Sequence, residues 1–404
     1  MTTTGKASRT HLRAASIALA LAMVLVAAVV AQGQTPSKAT FKVLHSFTGG
    51  NDGGYPFAGL IQDTKGNLYG TTWSGGAYDS GVVFAVPKTG GETLLYTFTG
   101  GNDGASPYAG LILSAGNLYG TAAYGGASDN GVVYEVPGSG GSESVLYTFT
   151  GGDDGANPYA GLLRDAKGDL YGTTTQGGHG YSGVVFELAP NGKETVLYSF
   201  TGGTDGSQPY SGLVAGKGYV DLFSVTVEGG ANGLGTVFKV VPKSKKETVL
   251  HSFSSGSDGY YPYDYGSLLQ DLQGDLYGTT CCGGAYGYGT VFRIAANGTE
   301  TVLYNFTGHP DGAWPDAGLI RDAKGDLYGT TYGGGTTGCY DHDGCGTVFM
   351  LSKTGKETVL YTFTGGDDGA NPYGDLLRDA RGDLYGTALD GGTSGYGTVF
   401  KLTP

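Results

Sequence analysis

Along Glu194-Thr195-Val196-Leu197-Tyr198-Ser199-Phe200 the side chains alternate. Val196, Tyr198 and Phe200 fall on one side and Leu197 and Ser199 on the other, as a two-faced strand requires. Three strand-like runs precede this one: Ala160 to Asp165, Leu170 to Thr174 and Gly183 to Leu188. The turns Ala166–Asp169 and Pro190–Lys193 carry the Gly, Asp, Asn and Pro that tight backbone angles need, and a longer glycine-rich loop spans Gln176 to Ser182. No window shows a helical period.

This four-run unit recurs seven times. Leu68-Tyr69-Gly70-Thr71 returns from Leu118, Leu170, Leu276, Leu327 and Leu384, and a worn copy, Leu222-Phe223-Ser224-Val225, fills the fourth place. Counting Phe223 as a tyrosine, the spacings are 50, 52, 52, 54, 51 and 57 residues. Four short strands in about 50 residues predict a propeller blade. Such units are too short to bury a core singly, so the 404 residues read as one array, not as two or three domains. The Ala-Gly-Leu run has the smallest side chains and is placed innermost, where blades crowd the axis. The Val-x-Tyr-x-Phe run is then outermost. The array starts on an outer-type strand, Phe41 to Phe47, and ends on a third-type strand, Gly397 to Leu402, so the first strand should complete the seventh blade and close the ring. An open solenoid or β-helix, which would need terminal caps, is the alternative. The expected fold class is all-β: a seven-bladed β-propeller of four-stranded antiparallel blades over residues 41–404.

The motif set is Leu-Tyr-Gly-Thr, then Gly-Gly, then Gly-Thr/Val-Val-Phe/Tyr at Gly81, Gly131, Gly183, Gly235, Gly289, Gly346 and Gly397, then Leu-Tyr-x-Phe-Thr-Gly-Gly-x-Asp-Gly. It resembles the GloVer tandem repeat of exported "choice-of-anchor" proteins, over residues 41–403. The resemblance implies an exported repeat protein and brings no catalytic residues with it.

Lys6, Arg9 and Arg13 precede an apolar run from Ala14 to Ala31, and Val29-Val30-Ala31 places small residues before Gln32. Residues 1–31 are expected to be a cleaved signal peptide, with an uncleaved membrane anchor as the alternative, and residues 32–40 a short linker. No later segment is expected to span a bilayer or form a C-terminal anchor, so the mature chain should be secreted, periplasmic or held at the cell surface. Residues 1–31 carry three basic and no acidic residues; without them 20 Lys and Arg face 36 Asp and Glu, a net charge of −16. That balance disfavours nucleic acid and anionic membranes and suits neutral glycans, cations or basic proteins. The chain is expected to be a monomer.

Residues present in every copy serve the blade; those that break the pattern in a loop are better candidates for function. Asp52, Asp103, Asp154, Asp205, Asp258, Asp311 and Asp368 each open Asp-Gly-x-x-Pro. Each should fold back on its own turn; a ring of carboxylates holding a cation such as Ca²⁺ is the alternative, though no calcium-loop spacing is present. No cofactor is predicted. The exceptions cluster in the second-to-third-strand loops: Trp73, Tyr78, Tyr124, His179, Glu228, Tyr286 and Tyr332, with the longest loop carrying Tyr340, Asp341 and His342. His309 and Trp314 stand out in the entry loop to the sixth blade. Aromatic faces beside short polar groups suit sugar rings; the same tyrosines could simply pack over glycine-rich loops. Cys281, Cys282, Cys339 and Cys345 should pair in an exported chain, either within each loop or across the two loops. A zinc site at Cys339, His342 and Cys345 lacks a standard spacing. His45 and His251 stand at the outer-strand tyrosine position and are expected to be structural.

No nucleophile elbow, zinc-protease motif or phosphate loop occurs. The function expected is recognition of an extracellular or cell-envelope polysaccharide by the loop-bearing face. A polysaccharide lyase using His179 or His342, or a glycoside hydrolase using Asp341 and Glu228, is the first alternative. A protein-binding scaffold in the envelope is the second.

Overall fold

The computed structural model describes residues 39–88, 90–262, 267–335, 338–339 and 344–404. They form seven four-stranded antiparallel sheets, a seven-bladed β-propeller. Blade three is typical, with Leu163–Arg164, Leu170–Thr174, Val184–Leu188 and Glu194–Ser199 paired in chain order. The seventh blade takes its outer strand from the other end of the array: Thr40–Ser46 pairs with Thr398–Thr403, Thr40 opposite Thr403 and Ser46 opposite Thr398. The ring closes as the phase of the repeat requires. Helix among the described residues is limited to two single 3₁₀ turns, Lys217–Tyr219 and Gly256–Asp258.

One expectation is trimmed. The inner run Ala160 to Asp165 reduces to a two-residue ladder at Leu163–Arg164. The preceding Ala-Gly-Leu leaves the sheet because its backbone serves the neighbouring blade: Thr121 donates its hydroxyl to the Ala160 carbonyl at 3.0 Å. The Leu-Tyr-Gly-Thr threonine repeats this latch from Thr71 to Ala109, Thr173 to Ser211, Thr279 to Ala317 and Thr387 to Ala58. Two junctions lack it. Val225 stands at the place of the threonine in the worn copy. Thr330 keeps the hydroxyl, buried and without a hydrogen-bond partner.

Blades pack through aromatic pairs. The last outer-strand phenylalanine of each blade is fully buried and meets edge-on a ring of the next blade's third strand. The seven contacts run from Phe47–Phe84 at 5.1 Å through Phe98–Tyr134, Phe149–Phe186, Phe200–Phe238, Phe253–Phe292 and Phe306–Phe349 to Phe363–Phe400 at 5.3 Å. Edge-to-face geometry suits the ring quadrupoles. It also fixes the glycine of Leu-Tyr-Gly-Thr: a Cβ on Gly70 would stand 2.6 Å from the Phe84 ring.

The Asp-Gly-x-x-Pro carboxylates are consumed by this scaffold. Asp103 accepts the Thr99 N–H at 2.8 Å, the Thr99 hydroxyl at 2.5 Å and the Tyr96 hydroxyl at 2.8 Å. Asp154, Asp205, Asp311 and Asp368 accept likewise from Tyr147, Tyr198, Tyr304 and Tyr361. Where His45 and His251 replace the tyrosine, Nε2 lies 3.3 Å from Asp52 and 3.5 Å from Asp258. Burial holds both imidazoles below their ordinary pKa. Glu92, Glu143, Glu194, Glu247, Glu300 and Glu357 open the outer strands, near the aspartate of the preceding turn in the ring. Each buries one carboxyl oxygen without a hydrogen-bond partner. Burial first, and that aspartate second, push all six up to about 7. The seventh outer strand has Phe41 at this place, and its ring stacks on Tyr361 at 3.9 Å.

Candidate functional site

Entry loops and second-to-third loops share one face of the ring, because each pair is joined by a short antiparallel bridge, such as Ala105 to Tyr124 and Ala313 to Gly333. The residue before each loop proline (Tyr55, Ser106, Asn157, Gln208, Tyr261, Trp314 or Asn371) has a positive φ of 52–57°. Strain of this kind persists only where surrounding bonds impose it. Here the Trp314 N–H donates to the Tyr288 carbonyl at 3.0 Å, and its own carbonyl accepts the Tyr332 N–H at 2.9 Å. Tyr261 does the same for Cys281, whose N–H reaches the Tyr261 carbonyl at 3.1 Å. The backbone thus fixes Trp314, Tyr332 and Cys281 relative to one another across blades five and six.

In blades one to four and in blade seven the residue after that proline turns toward the mouth of the ring. Phe57, Tyr108, Tyr159, Tyr210 and Tyr373 form a continuous arc there. Ring centroids are 4.1 Å apart for Tyr373–Phe57, 5.3 Å for Phe57–Tyr108, 4.9 Å for Tyr108–Tyr159 and 5.2 Å for Tyr159–Tyr210. Trp73 stacks on Tyr108 with an interplanar angle of 8°, and the Tyr124 hydroxyl meets that of Tyr159. At the same place in blade six stands Asp316.

Beside Asp316 opens a bowl of about 500 Å³ lined by Phe57, Cys281, Cys282, Trp314, Asp316, Tyr332, Tyr373 and Leu389. That volume lies in the range of small-ligand sites. Cys281 and Cys282 are joined as a vicinal disulfide on its wall, and Cys339–Cys345 staples the sixth-blade loop. Asp316 is 9 % exposed, and burial pushes its carboxyl up to about 8. The Tyr332 phenol is raised by burial, then by the Asp390 and Asp316 carboxylates. Phe57 and Tyr373 also line a smaller axial cavity of about 180 Å³ below. Asp375 projects into it from the position that is glycine in five other blades and Ser267 in blade five. It accepts the Gly318 N–H at 2.7 Å, and the Ser267 amide as well. Burial pushes Asp375 up to about 6 against the pull of those amides. A carboxylate thus ties blade seven to blades five and six near the axis.

Of the sequence candidates, the structure brings Trp314, Tyr332, Cys281 and Cys282 into the bowl, and Trp73 and Tyr124 to the arc. Tyr78 and Tyr286 lie exposed away from it, each 62 % accessible. His179 is exposed and pairs with Asp153 at 3.2 Å. Glu228 accepts from Gln208 Nε2 at 2.9 Å. His309 Nδ1 lies 2.7 Å from the Gly335 carbonyl oxygen. Tyr340, Asp341 and His342 lie outside the described residues. Among the described residues no three His, Cys, Asp or Glu side chains gather as a cation site needs, and no helix is long and apolar enough to cross a membrane. Sequence reasoning missed Phe57, Tyr373, Asp316 and Asp375. Aligning the copies through the residue after proline and through the axial glycine would have isolated both aspartates.

A model of the Gloeobacter/Verrucomicrobia repeat matches residues 33–221 and 221–404. No curated protein matches the chain. Among solved structures it is similar to a putative gluconolactonase, with 13 % identity over 91 % of this chain and 92 % of that one and a TM-score of 0.44. A putative 6-phosphogluconolactonase from Bacteroides uniformis shows 15 % identity over 81 % and 92 %, with a TM-score of 0.49. A puromycin-hydrolyzing peptidase from Mycobacterium tuberculosis shows 10 % identity over 86 % and 52 %, with a TM-score of 0.50. Nothing about activity transfers at such identities.

Proposed function

The chain belongs to the Gloeobacter/Verrucomicrobia repeat family, and from that premise we propose that it is an exported, non-enzymatic recognition module whose bowl and aromatic arc bind an extracellular or cell-envelope polysaccharide. The observation that carries this reading is the lining itself. Trp314, Tyr332, Tyr373 and Phe57 gather aromatic rings around one carboxyl, and the arc continues from Phe57 through Tyr108 and Tyr159 to Tyr210. Sugar rings present apolar C–H faces and many hydroxyls, so a run of aromatic faces can hold successive residues while short polar groups orient them. Backbone bonds hold Trp314 and Tyr332 in place before a ligand arrives, which lowers the entropy lost on binding.

The test is a glycan array probed with the protein and with its Trp314→Ala and Tyr332→Ala variants. The reading expects signal on at least one polysaccharide class and a loss of about tenfold or more in each variant, the scale of an aromatic anchor removed from a binding face. An array without signal, or signal unchanged in both variants, overturns it. Export is tested by sequencing the N-terminus of the mature protein, which should begin at Gln32.

A further inference from the structure

The mouth of the ring holds one exception to its own rule. After the loop proline, six blades place an aromatic residue and the sixth places Asp316. A buried carboxyl ordinarily has a hydrogen-bonded or charged partner, because desolvation without one is costly. Asp316 is 9 % exposed, yet its Oδ1 has no hydrogen-bond partner. It lines the open bowl, not a sealed core. Its partner is therefore to be sought in what enters the bowl.

The surroundings select the sign of that partner. Trp314, Tyr332, Tyr373 and Phe57 line the bowl with aromatic rings, whose faces are electron-rich and attract cations. Asp390 raises the Tyr332 phenol together with Asp316, so a second carboxylate acts on the same wall. No Lys, Arg or His is found among the described lining residues, and the chain as a whole carries a net charge of −13. Burial pushes Asp316 up to about 8, as befits a carboxyl lacking a counter-charge.

We infer that the bowl recognises the protonated amine of an amino-sugar glycan, with the ammonium against Asp316 and the sugar ring on the Trp314 and Tyr332 faces. This rests on the glycan reading above and narrows it to chains bearing free amino groups. A neutral hydroxyl can bond only the protonated carboxyl, whereas an ammonium also supplies the charge that holds Asp316 ionised. An ammonium supplies a charge-assisted hydrogen bond and a cation–π contact at once.

The test compares glucosamine oligomers with N-acetylglucosamine oligomers of equal length by isothermal titration, on the full protein and on Asp316→Asn and Asp316→Tyr. Tyrosine is the residue that five other blades carry at this place, so Asp316→Tyr keeps the pattern of the ring. Thermal melts of both variants establish that they fold. The expected result is at least about tenfold tighter binding of the free amine by the wild type, the scale of one charge-assisted contact. That preference should be lost in both variants. Equal affinity for the two oligomers in the wild type, or a preference unchanged in Asp316→Asn, overturns the inference and leaves the glycan reading standing. Binding of neither oligomer overturns the inference, and the array then decides the reading beneath it.

Discussion

The six outer-strand glutamates make the pH dependence of stability a sharp test of how the blades are joined. Each is held at about 7 in the fold, against an ordinary 4.5. A carboxyl whose folded pKa lies above its unfolded value binds the proton more tightly when folded. Its favourable contribution is fully present below pH 4.5 and is lost as pH rises to 7 and beyond. The shift corresponds to about 3 kcal/mol per group at 1.36 kcal/mol per pKa unit. These side chains are about half exposed, and screening by solvent reduces that to about 1 kcal/mol each. Glutamine cannot ionise, so replacing all six should leave stability near that of the wild type at pH 4.5. At pH 8 it should raise the melting temperature by about 5–10 °C, if the six sites add. Differential scanning calorimetry of both proteins from pH 4.5 to 8.5 reads this directly. Taking the difference between them cancels the aspartates and histidines that also titrate. A flat difference, or a wild type that gains on the variant as pH rises, would refute the placement of these glutamates. Phe41→Glu should extend the same pH dependence to the seventh junction, while losing the stacking on Tyr361.

Further outcomes follow from the closure and the latches. Phe47→Ala empties a fully buried ring site at the junction of the first and last blades and should cost about 3–5 kcal/mol, read as a lowered melting temperature; a change below about 1 kcal/mol would contradict closure through this strand. Thr173→Val removes the donor to the Ser211 carbonyl and should cost about 1–2 kcal/mol, whereas Thr330→Val, at a hydroxyl without a partner, should be neutral or stabilising in the same melt. Equal losses in the two variants would show that the latch is not what the threonine contributes.

Much of this architecture is legible in the repeat. Alternation in Glu194–Phe200 identifies the outer strand, and its phase requires Thr40–Ser46 to close the seventh blade. The sequence leaves the cysteines free to pair within each loop or across the two, and the structure pairs them within each loop. Other features depend on distances that the sequence does not carry. The inner strand shortens because Ala160 turns its carbonyl to a threonine of another blade, a contact 39 residues away. Glu194 reads as an ordinary strand residue, and only the folded ring shows that one of its oxygens is buried without a partner. Tyr78, His179 and Tyr286 break the repeat in the long loops, but the structure leaves all three exposed. Asp316 and Asp375 sit in short, regular segments, where a single substitution matters because seven blades converge there.

Trp73 and Trp314 are the two tryptophans of the chain, so Trp73→Phe leaves Trp314 as its one indole reporter. Titrating this variant with a polysaccharide that scores on the array, while following tryptophan emission, asks whether binding occurs at the bowl. The account predicts a saturable change in intensity or wavelength with the same midpoint as binding measured by calorimetry. Saturable binding by calorimetry with Trp314 emission unchanged throughout would place the ligand elsewhere and contradict it.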